Sequence, residues 1–516
     1  MGIWSLYFLA KLGLYWTQRI DLHWGLNLLL ALALAWPLAE RRWRLLRHAL
    51  ALPLALALLY HDSYLPPFAR LWGQAGALAS FSPAYLAELA GRFVAWPVVV
   101  ALLVLVVAFV LLHRHLRFAT LALLGLLSVP LLPEPGFWAR PAQTASNLDR
   151  ADAADAAALA PSQLQSRLNA FYATESERAV ALPAGVPPAF DIVVLSVCSL
   201  SWDDLEGAGA RQAPLLKQFD IVFRQFNSVA SYSGPALLRL LRSTCGQTPQ
   251  SALYQPAPPQ CYLFDNLARA GYKPALLMNH DGRFDNFAQQ LREHGGPGIE
   301  PQVDNGARVA MRAFDGTPVY ADDDTLARWW RARVADPAPL ALIYNTVTLH
   351  DGNRVPGMSS QRSTETFKPR LLHLLADLER FVALVQASGR PTLLLLVPEH
   401  GGAVQGDAVQ VSGLRELPTP AITSVPAAAR LIGFEGLAPA TAPIVVDKPS
   451  SYLALTSLVA GLLPGGRMVS REQLETLVRE LPGTNWVAEN EGTVLLRQGD
   501  STYVSSPQGG WMPYRR

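Results

Sequence analysis

Four places in this chain carry side chains able to bind a metal or attack an electrophile, and each follows an apolar run. Cys198 closes FDIVVLSV, Ser233 follows IVFRQFNSVA, His350 follows LALIYNTVTL, and the pair Glu399-His400 follows LLLLVP. A thiolate, an imidazole, a carboxylate and a hydroxyl make a suitable donor set for a tetrahedral zinc ion. Glu399 and His400 are neighbours that a regular strand would point to opposite faces. Pro398 before them and Gly401-Gly402 after them break the strand and let both turn toward one ion. Singly, each residue has an ordinary role: Ser233 a helix cap, Cys198 a small buried hydrophobe, His350 a hydrogen-bonded loop residue. Their recurrence at successive segment ends favours a shared site.

The elements that must position them follow from the pattern. FDIVVLSV, PALLMN, LALIYNTVTL and PTLLLLV are short and β-branched or Leu-rich, each followed by polar residues and then a helix-length segment. Near-continuous apolar strands alternating with helices predict an α/β domain with a central, mostly parallel sheet covered on both faces. In such folds active sites gather at the carboxyl ends of the strands, which is where the four groups fall. SYSGPALLRLL reads as a helix start. Ser233 directly precedes Gly234 and Pro235, where a missing side chain leaves room for a phosphoryl group and the proline lacks only an amide that no helix bond needs. Ser231, two residues upstream, is an entry-turn residue.

With 516 residues the chain exceeds one domain, and Lys+Arg 43 against Asp+Glu 41 leaves no basic stripe for a nucleic-acid partner. Its mean hydropathy of +0.18 reflects one end. Residues 1–133 hold about five apolar segments, predicting an α-helical transmembrane bundle: Ile3 to Trp16, Leu22 to Ala39, Leu45 to Tyr60, Phe93 to Leu112 and Phe118 to Leu132. Phe93 to Leu112 is about as long as the hydrocarbon core requires, whereas Lys11 would also let the first segment lie at the interface. Further spans follow at once, which disfavours a cleaved signal peptide. The basic breaks ERRWRLLRH (Glu40 to His48) and HRHLR (His113 to Arg117) belong on the cytoplasmic side, which places everything after about Pro133 outside. Residues 134–189 are Ala-, Pro- and Ser-rich and read as a connector with some helix, leaving 190–516 as the exported catalytic domain. No internal repeat is visible.

Of the three cysteines, two are expected to pair in an oxidising compartment. Cys245 and Cys261 lie 16 apart around a Pro/Gln-rich loop that a bridge could hold, which on the chain-entropy account contributes about 3 kcal/mol. On that pairing Cys198 is the odd thiol, and metal ligation would explain it.

IVVLSVCSLSWDDL, NSVASYSGPALLRLLRSTCGQ, TLHDGN and VPEHGGA, behind an N-terminal set of spans, resemble the cellulose phosphoethanolamine transferases of the alkaline phosphatase superfamily, over essentially the whole chain. The related lipid A phosphoethanolamine transferases share the layout but use Thr as nucleophile, Glu at the first strand end and several disulfides, and this chain departs from them at each point. The resemblance implies zinc held by Cys198, Glu399 and His400, with Ser233 as nucleophile and fourth ligand. It further implies Tyr232 lining the substrate site, His350 near the leaving or attacking oxygen, a Cys245–Cys261 disulfide, and Arg415 as a substrate contact. The expected reaction passes phosphoethanolamine from phosphatidylethanolamine to Ser233 and then to a hydroxyl of cellulose or another glucan, with His350 as general acid and then base. It implies a multi-pass protein of the bacterial inner membrane with a periplasmic catalytic domain, and other cellulose synthase complex subunits as partners. A membrane-tethered hydrolase, a transferase acting on another envelope glycan such as lipid A, and a non-enzymatic scaffold subunit are the competing expectations. If the basic breaks set the topology, an alkaline phosphatase reporter fused after Pro133 will be active, and a green fluorescent protein fused there will be dark.

Overall fold

The computed structural model describes residues 2–17, 20–63, 81–93, 96–112, 116–131, 159–183, 185–303, 306–360, 362–407, 410–437, 442–505 and 510–514. It divides into two compact units, Met1–Gly76 with Leu89–Ala157, and Ala77–Glu88 with Ala158–Arg516. The basic residues 113–115 and the start of the expected connector, 134–158, lie outside the described residues.

In the first unit a helix stands at each predicted apolar segment: Trp4–Trp16, Trp24–Ala35, Arg41–Asp62, Trp96–Leu112 and Phe118–Ser128. Of the described helices, Arg41–Asp62 is the one long and apolar enough to cross a membrane, and its Leu50, Leu52, Leu54 and Leu56 point outward. The basic break Glu40 to His48 therefore forms the first turns of that helix instead of a separate loop. Of the predicted run from Phe93, Trp96–Leu112 is helical and Phe93 ends the helix Pro83–Phe93, with residues 94–95 outside the described ones. Lys11, whose charge suggested an interfacial first segment, is fully buried. Its ammonium pairs with Asp62 and donates to Asn27 Oδ1 at 2.8 Å, while Asn27 Nδ2 donates to Asp62 Oδ2 at 2.7 Å. A charge tolerated among apolar helices in this way is one whose partner arrives from another helix. Around it Phe8, Leu12, Ala31, Leu34, Ala122 and Leu126 pack together.

The second unit is built on an eight-stranded sheet. Its strands in chain order are β1 (Asp191–Val197), β2 (Ile221–Phe223), β3 (Lys273–Met278), β4 (Pro301–Gln302), β5 (Leu340–Thr346), β6 (Thr392–Leu396), β7 (Ala428–Ile432) and β8 (Ile444–Val446), and they lie side by side as β8-β2-β7-β6-β1-β5-β3-β4. The four strands expected from the apolar runs, β1, β3, β5 and β6, are adjacent and parallel. β7 runs antiparallel to both its neighbours, so the sheet is mixed although mostly parallel. Side-chain alternation divides β1 between two cores: Ile192 and Val194 pack with the helix Ser233–Leu241, Val193 and Leu195 with the helix Ser363–Ala387. Both faces are thereby covered, as the near-continuous hydrophobicity of these strands demands.

A four-stranded antiparallel sheet at the C-terminus, Val487–Asn490 to Trp511–Tyr514, receives the helix Pro161–Ser176, whose Leu164, Leu168 and Phe171 pack on Val487, Leu496 and Tyr503. Part of the segment read as connector thus contributes core to the second unit. Cys245 and Cys261 form a disulfide and Cys198 is free.

Removing one member of a buried ion pair strands the other charge, at a cost of about 3–5 kcal/mol, whereas replacing both with apolar residues is often neutral. Lys11→Met should therefore lower the denaturant midpoint of the detergent-solubilised protein sharply, and Lys11→Met with Asp62→Leu should recover most of it.

Candidate metal and phosphoryl-transfer site

The carboxyl ends of β1, β5 and β6 are laced together by backbone bonds. Cys198 N donates to Thr346 O at 3.0 Å, Glu399 N to Val197 O at 2.9 Å and Leu200 N to His400 O at 2.7 Å. A buried carboxylate completes the clamp: Asp204 Oδ2 accepts from Ser201 N at 2.9 Å, Ser201 Oγ at 2.8 Å and Gly402 N at 2.8 Å. Ser201 in turn caps the helix Trp202–Gly207 by accepting from Asp204 N at 3.1 Å. Gly401 must be glycine here, since a Cβ would stand 2.6 Å from Ser201 Oγ and 2.9 Å from Asp204 Oδ2. The chain passes through left-handed backbone at three non-glycine residues flanking the site, Ser199 (φ 64°), Val229 (φ 67°) and Ala403 (φ 50°). Strain of this kind persists where surrounding bonds over-determine it.

These constraints bring Cys198, Glu399 and His400 together, all buried, with ligand atoms within 4.8 Å of one another. Ser233 Oγ lies 3.4 Å from Cys198 Sγ and 3.3 Å from His400 Nε2. Ser233 is the first residue of its helix and not the cap; Tyr232 occupies the cap position and makes no capping bond. The ordinary role of a serine at a helix start is therefore vacant, and the hydroxyl points to the ligand cluster. Ser231 Oγ, by contrast, is buried without a partner.

The donor chemistry of the cluster suits a divalent cation. Glu399 Oε2 is buried with no hydrogen-bond partner, while Oε1 accepts a short bond from Asn345 Nδ2. His280 Nε2 stands 2.9 Å from Asn345 Oδ1 and extends that support. The imidazole of His400 gives its Nδ1 proton to Gly401 O at 2.9 Å, which leaves the Nε2 lone pair toward Ser233 and Cys198. Arg415 Nη1 at 3.3 Å from Nδ1 is then a close contact, and its charge opposes protonation of the ring. Burial pushes the Cys198 thiol up to about 12, with Glu399 adding to it, and pushes the Glu399 carboxyl up to about 7. Burial likewise drives His400 well below its ordinary value. With no cation, burial favours the neutral form of each group, which is the protonated thiol, the protonated carboxyl and the deprotonated imidazole; a bound divalent ion favours thiolate and carboxylate and releases protons.

The remaining predicted residues lie around the cluster. Arg415, read as a loop residue, is 6% exposed, with Nη1 3.2 Å from Ser199 Oγ and its guanidinium 5.1 Å above the Tyr232 ring. His350 gives its Nδ1 proton to Asp351 O at 2.7 Å and packs 5.2 Å from Phe314. Burial first, and then the charge of Arg415, lowers it to about 4, so the ring is neutral at neutral pH. Several supports carried no sequence signal. Arg370 Nη1 donates to Thr348 O at 2.7 Å and His350 O at 3.0 Å, Tyr85 Oη to Asp351 Oδ2 at 2.8 Å, and Arg354 pairs with Glu88 at 2.6 Å. Of the supporting residues, Asp204 was the most accessible from sequence, through the Ser-x-x-Asp spacing of SWDD.

The structure defines an α/β protein with a mostly parallel sheet, a buried Cys, Glu and His cluster at its strand ends and a serine hydroxyl beside it at a helix start. The profile described as "Cellulose biosynthesis protein BcsG C-terminal domain" matches residues 149–511 and that of the N-terminal domain matches 4–131. The cellulose biosynthesis protein BcsG of Escherichia coli (strain K12) is 39% identical over 540 residues, covering 99% of this chain and 96% of that protein. BcsG of Salmonella typhimurium is 38% identical with the same coverage. This chain belongs to the BcsG family of cellulose biosynthesis proteins. Among solved structures, a protein in the alkaline phosphatase superfamily from Vibrio parahaemolyticus superposes with a TM-score of 0.47 and 13% identity, covering 66% of this chain and 84% of that one. The zinc complex of the C-terminal periplasmic domain of EcEptC from Escherichia coli gives 0.42 and 16%, covering 60% and 94%.

The two kinds of cysteine separate experimentally. Cys198→Ser should abolish metal retention, measured by elemental analysis, and leave the thermal midpoint of the metal-free protein nearly unchanged. Cys245→Ser should keep the metal and lower the midpoint; equal metal loss from both would reverse the assignment.

Proposed function

We propose that this protein transfers phosphoethanolamine from phosphatidylethanolamine to glucosyl hydroxyls of nascent cellulose, through a covalent intermediate on Ser233. The observation that carries this reading is the Ser233 hydroxyl, 3.3–3.4 Å from His400 Nε2 and Cys198 Sγ at the start of a helix. Cys198, Glu399, His400 and Ser233 would hold a zinc ion, which when bound favours the ionised hydroxyl and polarises a phosphoryl oxygen.

In the first displacement Ser233 Oγ forms a bond to phosphorus as the bond from phosphorus to the glycerol oxygen breaks. The neutral His350 takes the serine proton at Nε2 and passes it to that oxygen, so diacylglycerol leaves as an alcohol. In the second, a sugar hydroxyl attacks phosphorus, the bond to Ser233 breaks, and His350 moves the sugar proton to Oγ. Amides at the helix start favour the negative phosphoryl oxygens, Arg415 supplies a cation beside them, and Tyr232 lines the site.

A lipid donor accounts for the apolar N-terminal unit. We take residues 1–133 as a five-span domain of the bacterial inner membrane, apart from the stretch with Tyr85 and Glu88 that packs in the second unit, 134–189 as the link whose helix Pro161–Ser176 docks on that unit, and 190–516 as the periplasmic catalytic domain, with other cellulose synthase complex subunits as partners. The outward leucines of Arg41–Asp62 and the basic residues at its start support this.

Intact-mass measurement after incubation with phosphatidylethanolamine tests the reading. Wild type and Ser231→Ala should gain one phosphoethanolamine group, which added glucan discharges. Ser233→Ala should gain none and, having lost no cap, should keep its fold. An adduct persisting in Ser233→Ala, or discharge by water as fast as by glucan, overturns it.

A further inference from the structure

The residue after Arg415 carries the opposite charge, and both contact one ring. Arg415 sits on the cluster side, nearly fully buried, with Nη1 against Ser199 and His400 and a buried Nε that has no partner. Its guanidinium lies over the face of Tyr232, the residue immediately before Ser233. Glu416 lies at the other end of that ring, where its Oε1 accepts from Tyr232 Oη at 2.8 Å, and it is only half-buried. The backbone that presents the pair is anchored on both sides. Asn490 Nδ2 donates to Glu416 O at 2.9 Å, Leu417 N donates to Gln410 Oε1 at 2.7 Å, and Gln410 Nε2 returns a bond to Leu417 O at 3.1 Å.

Next to Ser233 in the chain, the Tyr232 ring thus carries a cation over its face and a carboxylate at its hydroxyl. Phosphoethanolamine is a zwitterion whose anionic phosphorus must lie against Ser233 and whose ammonium must lie a short two-carbon arm away. The unpartnered Arg415 Nε is a donor suited to a phosphoryl oxygen. An ammonium on the outer side would meet a carboxylate and the electron-rich ring of Tyr232, the two features that attract a cation most strongly. Resting on the transferase reading above, we propose that Glu416 determines donor specificity by receiving the ammonium of the phosphoethanolamine head group, with Arg415 receiving its phosphate. A neutral head group such as glycerol could offer that carboxylate only a hydroxyl hydrogen bond without the charge, so Glu416 selects by what it adds to the cation.

The test uses full-length protein in vesicles of phosphatidylethanolamine, phosphatidylcholine or phosphatidylglycerol, with the rate of adduct formation on Ser233 followed by intact mass. Wild type should prefer phosphatidylethanolamine. Phosphatidylcholine keeps the charge but cannot donate a hydrogen bond, so it should react at an intermediate rate. Glu416→Gln should lose about 10- to 100-fold of the preference over phosphatidylglycerol, the range expected for a charged hydrogen bond, and the loss should come from the phosphatidylethanolamine rate alone. Glu416→Asp, which keeps the charge, should retain part of the preference. Tyr232→Phe, which removes the hydroxyl and keeps the carboxylate, should retain it. An unchanged preference in Glu416→Gln, at wild-type metal content and thermal midpoint, overturns the assignment. So does equal loss in Tyr232→Phe, which would mean that Glu416 acts only by holding Tyr232. Should Glu416→Gln fail to fold, Glu416→Asp decides: a preference as low as that of a variant without the carboxylate, Glu416→Ala, overturns the assignment. If wild type takes up no group from any lipid, the transferase reading itself fails and the Glu416 assignment falls with it, a result distinct from wild-type transfer with no role for Glu416.

Discussion

Cys198, Glu399 and His400 are removed from water within a few ångströms of one another, and much of the second unit is arranged to make that tolerable. A thiolate and a carboxylate in such surroundings are costly unless a cation compensates them, and the burial-driven shifts of both groups express that cost. Glu399 shows it most directly. One carboxylate oxygen is held by Asn345, which is backed by His280, and the other faces the cluster without any donor. An oriented carboxylate with one unsatisfied buried acceptor suits a cation.

The rest of the second unit keeps those three side chains from relaxing away. Asp204 ties the turn after β1 to the glycines after β6, so the two strand ends are held together. The same clamp explains why Gly401 follows His400 so closely, since no side chain fits against Ser201. Ser233 reaches the cluster from a different direction, on a helix whose Leu237, Leu238, Leu240 and Leu241 are buried in the core on one face of the sheet. Packing on that face sets the distance between hydroxyl and ligands, which links core energetics to the chemistry proposed for the hydroxyl.

The apolar unit obeys a different constraint. Lys11 and Asp62 are tolerable because each satisfies the other together with Asn27, and the three come from three helices. A pair of this kind gives little net stability but penalises every arrangement that separates its members, so it specifies how helices with interchangeable apolar faces associate.

The central strands and the donor residues are legible in the amino-acid sequence by itself. Four strands are marked by apolar runs ending in proline, glycine or polar residues, and β1, β3, β5 and β6 occupy those runs because strand ends are local features. The donor residues are legible for the same reason: Cys198, Glu399 and His400 sit at those ends in types that few structural roles require together. Tertiary structure alone decided what needed long-range pairing. It placed Cys198 beside His400, 202 residues apart, through the registers of β1 with β5 and β6. It made Lys11, the charge that interrupts the first apolar segment, a buried partner, and it assigned the helix Pro161–Ser176 to the second unit. It also supplied Asn345, Tyr85, Glu88 and Glu416, single polar residues whose partners lie 54 to 266 positions away. No period or short motif encodes such contacts, because their specificity resides in the folded surface that brings them within hydrogen-bonding distance.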